Sequence, residues 1–296
     1  MPLISWRATR LTGGGSAFQI KVRRMNFLLT NDDGVTAPGL WAAARALADF
    51  GKVLIVAPAA NCSGFGAAYP PGQTLAYFSY HNGADHPDGV TAFGLSATPA
   101  TCVHVGLNGL LDIGDVDLVV SGVNDGANMG RDVLYSGTVG AALTATLLGK
   151  PAVAFSLAVE PPERPCWESA ERAVREMVAA WLRDAQNPRR GLPVAHNVNI
   201  PNRAPGALRG QHMTILGDRS FLSQYRFERA PGQPNMLVVQ RREDPAPGLP
   251  DLWSDAWAVS QGYISVTPLR LVPDVLHVDG PLIEMPAPER VAFAAG

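Results

Sequence analysis

Two adjacent carboxylates, Asp32 and Asp33, close the apolar run Phe27-Leu28-Leu29 within the stretch Asn26 to Gly34. The run reads as a short buried strand, so the carboxylates fall where strand gives way to loop. Neighbouring carboxylates repel and need a solvated loop, a shared proton or a cation. A hard divalent ion is held by one or two carboxylates together with neutral oxygens and water. Taken alone, Asn31-Asp32-Asp33-Gly34 is also an ordinary polar turn. Two more strand ends carry polar loops, Asn61-Cys62-Ser63 and Asn124 to Asn128. In an open parallel sheet such ends share one edge, where ligands bind. Asp32 and Asp33 would supply charge there, and Ser63 and Asn124 neutral oxygens. Each of the last two is an unremarkable turn residue by itself; their joint placement favours the metal.

Ser136-Gly137-Thr138 opens a helix. A hydroxyl there caps the helix, and the free N–H groups and dipole of the same turn make an anion site. A cation facing a helix N-terminus suits a phosphate, and Gly126, Gly130 and Gly137 would let backbone approach it. Neither a phosphate-binding P-loop nor a dinucleotide fingerprint is present, and no Gly-x-Ser-x-Gly elbow occurs. The six histidines show no metal-ligand spacing, and His104 on an apolar helix reads as core. Trp257 reads as core, and Asp218 and Arg219 as solvated surface.

The elements that position these groups alternate. Strands are expected at Phe27–Leu29, Val53–Ala57, Asp117–Ser121, Pro151–Ser156 and Val194–Ile200. Helices are expected over Leu40–Phe50 with Thr36 as cap, from Pro99 through Leu110 and Leu111, over Thr138–Leu148 and over Cys166–Asp184. A β-α-β start implies right-handed crossovers and a parallel sheet. Shorter strands are expected at Leu75–Phe78 and Val90–Phe93. Beyond Pro201 a β-rich lobe, about residues 202–250, holds strands at Met213–Leu216 and Met236–Gln240. A helix over Asp255–Gly262 and a strand over Tyr263–Pro268 follow. The fold class is therefore α/β, a Rossmann-like, doubly wound, mostly parallel sheet with a small β-rich C-terminal lobe and an extended C-terminal tail. Residues 1–24 read as a flexible N-terminal extension, 25–271 as the main domain and 272–296 as the tail.

Composition narrows the partners. Of 296 residues, 47% are hydrophobic, enough for one large core. Lys+Arg 24 against Asp+Glu 26 gives a net charge of -2, with no basic excess for a nucleic-acid polymer. No apolar run is long enough to span a membrane. Cys62, Cys102 and Cys166 are odd in number and fit no disulfide framework, which points to a reducing cytoplasm.

The ordered motifs Leu28 to Gly34 with Ala37-Pro38-Gly39, Val119 to Asn124 with Gly126-Ala127-Asn128, and Leu134 to Val139 resemble the survival protein SurE family. So do Asn197-Val198-Asn199-Ile200-Pro201 and Gly262 to Leu269. The resemblance covers about Asn26 to Leu271. It implies a metal-dependent 5'/3'-nucleotidase, with Asp32, Asp33, Ser63 and Asn124 as ligands of one Mg2+ or Mn2+. It places Asn128, Ser136, Gly137 and Thr138 at the phosphate, and Asn31 joins this substrate-binding set. It also implies a homodimer or homotetramer. Departures fall in the loop Ala59–Pro70 and at Ala100-Thr101-Cys102, which replaces a stretch that commonly carries an aspartate in the family. Ala59, Ala60 and Cys62 stand where the family has acidic and arginine residues. Phe65, Ala67, Ala68 and Tyr69 replace its polar continuation. The expected reaction is hydrolysis of a nucleoside monophosphate by metal-activated water, with Asp32 orienting or deprotonating that water. The alternatives are a non-catalytic phosphate or nucleotide sensor of the same fold, and a phosphatase with a non-nucleotide substrate.

Overall fold

The computed structural model describes residues 24–109, 111, 114–160, 162–184, 194–218, 225–233, 235–241 and 251–269. The expected extension (but for Arg24), the tail, Leu110 and Arg219 lie outside them. The chain opens with β1 (Met25–Thr30), α1 (Pro38–Ala48) and β2 (Gly51–Pro58). It continues through β3 (Tyr77–Tyr80), β4 (Val90–Leu95), α2 (Pro99–Leu107) and β5 (Leu118–Asp125). Then come α3 (Gly137–Leu147), β6 (Ala152–Ala158), α4 (Trp167–Asp184) and β7 (Ala195–Pro201). The last elements are β8 (Gln211–Met213), β9 (Tyr225–Arg229), β10 (Leu237–Arg241), α5 (Asp255–Ser260) and β11 (Ile264–Leu269).

Nine strands form one sheet in the order β3-β4-β2-β1-β5-β6-β7-β11-β8. From β4 to β7 every pairing is parallel; β3 and β11 run antiparallel to their inner neighbours. The chain winds outward from β1 through β2 and β4, then crosses to β5 and winds the other way. The topological switch point lies between β1 and β5, the place where such sheets bind ligands.

Alternation along the central strands explains the layers. Phe27 and Leu29 pack with Ile55, Leu118 and Val120 beneath α1 and α4. Leu28, Leu54 and Val119 face the other way, onto Cys102 and Val103 of α2 and Val139 and Ala142 of α3. A strand buried on both faces must be apolar at every position, which is why these segments read as continuous runs. Each such side chain contributes about 1.5–3 kcal/mol relative to exposure.

Several sequence expectations need correction. Thr36 does not cap α1; Ala37 takes that position without a side-chain bond, and Pro38 supplies the preset φ of the first turn. The strand expected in the β-rich lobe at Met213–Leu216 does not form as such: β8 covers Gln211–Met213, sharing only Met213, and pairs with β11 at the edge of the main sheet, while Ile215 makes an isolated bridge with Ser254. Among the described residues only β9 and β10 form a separate hairpin. Trp257 is half-buried, in a cluster with His212 and Trp253. His104 is half-buried too, with Nδ1 2.7 Å from the hydroxyl of Tyr69. Asp218 is at the surface, ion-paired with Arg131 at 2.8 Å.

Candidate metal and phosphate site

The loops after β1, β2 and β5 meet at the switch point, and the N-terminus of α3 closes the fourth side. A cleft of about 260 Å3 opens there, lined among others by Asp32, Ser63, Asn124, Asn128 and Ser136. The loops are stitched together by backbone. The Cys62 N–H donates to the Asp32 carbonyl at 2.7 Å, and the Val35 N–H to the Pro58 carbonyl at 2.8 Å. Asn31 closes its own turn, donating from Nδ2 to the Gly34 carbonyl at 3.0 Å and accepting the Gly34 N–H at 3.2 Å. Its side chain thus shapes the carboxylate loop rather than facing substrate.

Asp32 is buried against the first turn of α3, where the Thr138 hydroxyl donates to its Oδ1. Burial pushes its carboxyl above the ordinary carboxylate range, partly offset by that hydroxyl and by the N–H groups of Thr138 and Gly137. Asp33 is half-buried, and its Oδ2 accepts the Asp125 N–H at 3.2 Å. Burial first, and then the charge of Asp32, push Asp33 up to about 6. Asn124 donates from Nδ2 to the Gly126 carbonyl at 2.9 Å, which fixes the amide and leaves Oδ1 to serve as acceptor. Ser63 is exposed, with its N–H bound to Asn61 Oδ1 at 2.8 Å.

This donor set fits a hard divalent cation. Two carboxylates carry an unfavourable charge that a cation reverses, and two neutral oxygens complete an all-oxygen set. Among the described residues no three His, Cys, Asp or Glu gather as a metal-holding group, so they offer no soft or imidazole-rich site.

The phosphate side is built by α3. Ser136 caps it, its Oγ accepting the Val139 N–H at 3.1 Å while its own hydrogen remains able to donate into the cleft. Gly137 has no side chain because none fits: a Cβ would lie 2.7 Å from the Asp32 Cβ. Thr138, expected at the phosphate, spends its hydroxyl on Asp32 instead. Asp32 is therefore held directly against the first turn of α3.

Asn128 reaches the cleft through groups that sequence reasoning left without a role. Asn199 of β7 accepts the Asn128 N–H at 2.8 Å and donates to its carbonyl at 2.9 Å. Asn197 donates to the same carbonyl at 2.8 Å, and Asn128 Nδ2 donates to Ser156 Oγ at 2.8 Å. Buried Asp255 accepts the Gly130 N–H at 2.7 Å. The available signal was two asparagines at alternate positions of an otherwise apolar strand. Period two puts both on one face, and buried amides require partners.

The comparisons with known proteins bear on this geometry. The family model described as Survival protein SurE matches residues 27–223. A 5'-nucleotidase SurE of Ectopseudomonas mendocina is 40% identical over 250 residues, covering 83% of this chain and 92% of that protein. A 5'-nucleotidase SurE of Stutzerimonas stutzeri is 41% identical over the same length. The crystal structure of the SurE protein from Aquifex aeolicus superposes with a TM-score of 0.66 at 33% identity, covering 83% of this chain and 93% of that one.

Proposed function

The chain belongs to the survival protein SurE family, and from that premise we propose that it is a metal-dependent phosphomonoesterase, hydrolysing nucleoside monophosphates to nucleoside and phosphate. One observation carries the reading. Asp32, Ser63 and Asn124 line one cleft at the switch point of the sheet, with Asp32 against the first turn of α3 and Asp33 next to it, bonded to the Asp125 N–H at the end of β5.

Asp32, Asp33, Ser63 Oγ and Asn124 Oδ1 would hold one Mg2+ or Mn2+. When bound, such an ion polarises a phosphoryl oxygen and lowers the pKa of water. The chain's own residues do the rest. The Ser136 hydroxyl holds a phosphoryl oxygen and stabilises the negative charge that grows on it, while the first N–H groups of α3 are taken up by Asp32 and the cap. Asn128, locked by Asn197, Asn199 and Ser156, keeps its amide at the cleft wall and fixes the phosphate's orientation. Asp32 orients the attacking water and takes its proton, in line with the leaving ribose oxygen. Thr138 holds Asp32 in place for this, and Asn31 holds the loop that carries it.

Residues 25–271 form the catalytic unit in this reading, with 1–24 and 272–296 outside it, and the working form is a cytoplasmic homodimer or homotetramer. Among the described residues no helix is long and apolar enough to cross a membrane. The test is phosphate release from 5'- and 3'-nucleoside monophosphates, in EDTA and across a Mn2+ titration. Release that requires Mn2+ is expected. Release that EDTA leaves untouched would remove the metal, and binding of AMP without release would support the sensor instead.

A further inference from the structure

Asp255 is a carboxylate with no exposed surface. Three backbone N–H groups converge on it. The Gly130 N–H donates to Oδ2 at 2.7 Å, and the Gly217 and Ala256 N–H groups donate to Oδ1 at 3.1 and 2.8 Å. An ionised carboxylate only accepts, which suits a point where donors alone meet. Burying such a charge is costly, and charge-assisted bonds from N–H groups offset that cost.

The three donors lie on three segments. Ala256 belongs to the first turn of α5. Gly217 ends a stretch zipped beside the approach to α5: the Ile215 N–H donates to the Trp253 carbonyl at 3.2 Å, and the Asp255 N–H to the Ile215 carbonyl at 2.9 Å. That stretch is tightly packed, since a Cβ on Gly217 would lie 3.1 Å from the Ser254 Cβ and 3.4 Å from Asp255 Oδ1. Gly130, at φ +59, opens a short 3-10 turn, Gly130–Leu134, in the wall of the cleft.

The Gly130 bond bears on the phosphate side. Asn128 and Ser136 are each fixed locally, Asn128 by Asn197, Asn199 and Ser156, and Ser136 by the cap of α3. Residues 129–135 run between them and bring Asp132 and Tyr135 to the cleft. Val133 anchors this run in the core, and the Tyr135 carbonyl accepts the Gly66 N–H at 3.0 Å. At its start the run is tied to α5 by Asp255. The neighbouring Arg131–Asp218 ion pair is exposed at both ends and contributes little.

We propose that Asp255 is a positioning residue for phosphoryl transfer: through Gly130 it sets the wall that spaces Asn128 from Ser136. The inference rests on the phosphomonoesterase reading and adds to it a residue remote from the cation and the substrate. Its effect runs through alignment, so its loss lowers kcat more than it raises KM.

Asp255→Asn divides the three bonds. An amide has one acceptor oxygen, and the orientation that keeps two bonds leaves that oxygen on Gly217 and Ala256. Its NH2 then faces the Gly130 N–H, donor against donor, and the wall loses its tether while α5 keeps its bonds. Ser254→Ala is the control on the same helix, because Ser254 Oγ accepts the Trp257 N–H at 3.1 Å and has no bond to the wall.

The experiment measures kcat and KM for AMP with Mn2+ in the full chain and in Asp255→Asn, Gly217→Ala and Ser254→Ala, with melting temperatures alongside. In Asp255→Asn, kcat should fall about ten- to hundredfold with KM within about threefold of wild type. Ser254→Ala should melt about 2–4 °C lower with kcat unchanged. Gly217→Ala presses a methyl towards Asp255 Oδ1 and should lower kcat about threefold. A kcat in Asp255→Asn within about threefold of wild type, or an equal loss in Ser254→Ala, overturns the positioning role and leaves the phosphomonoesterase reading intact. Should Asp255→Asn fail to fold, Gly217→Ala decides, and an unchanged kcat there overturns the role. No release by wild type with Mn2+ overturns both.

Discussion

Removing one charge from the carboxylate pair should separate stability from activity. Asp33→Asn keeps the shape of the side chain and its bond with the Asp125 N–H loses only charge assistance. In the metal-free protein Asp33 is raised from 3.8 to about 6, first by burial and then by Asp32. Between those pH values the folded chain binds more protons than the unfolded one, so stability falls as pH rises through that window and stays reduced above it. The shift corresponds to about 3 kcal/mol. Solvent at a half-buried group screens this to about 1–2 kcal/mol. In EDTA at pH 7 the variant should therefore melt higher than wild type by about 2–6 °C, and the gain should vanish below about pH 4. Activity should move the opposite way, falling about a hundred- to thousandfold as a charged ligand is lost. Excess Mn2+ recovers part of the loss where affinity is the defect. The assays are thermal melts in EDTA from pH 4 to 8 and phosphate release across a Mn2+ titration. A variant that melts no higher at pH 7, or one with near-wild-type turnover at low Mn2+, would refute the reasoning.

Other perturbations test neighbouring contacts. Gly137→Ala places a methyl 2.7 Å from the Asp32 Cβ; turnover should fall at least tenfold while circular dichroism stays native. Asn199→Ala leaves the buried N–H of Asn128 without its acceptor, which should cost about 1–3 kcal/mol in a denaturant melt and weaken phosphate affinity measured by calorimetry. Deleting residues 1–24 should preserve solubility and phosphate release, because that stretch carries no helical or strand period with which to join the core.

The doubly wound sheet was legible because its central strands are buried on both faces. Phe27–Leu29, Val53–Ala57 and Val119–Val120 are unbroken apolar runs, and the glycine- and proline-bounded stretches between them carry helical period. The polar residues of the cleft were legible for a related reason: those following such runs must sit at strand ends. What eluded sequence reading involves partners distant along the chain. Thr138 looks like a helix-opening hydroxyl, and only the crossing of α3 over the β1 loop commits it to Asp32. Asn31 looks like a substrate-binding residue beside two carboxylates, yet its side chain bonds Gly34 of its own turn. Sequence reading misplaces the lobe strand at Met213–Leu216 because β8, only Gln211–Met213, has too little alternation to show its bounds or which sheet accepts it.

The anchoring of Asn128 has a consequence for biosynthesis. Every proposed metal ligand has been made by residue 124, and the helix that would hold phosphate begins at Gly137. The loop between them takes its shape from Asn197, Asn199 and Asp255. A nascent chain emerging from the ribosome therefore holds all the proposed cation ligands long before it holds the brace that sets their neighbour Asn128. A product cut short after α4 would keep the carboxylate pair but lack the asparagines of β7 and Asp255 that set the loop between Asp125 and Ser136.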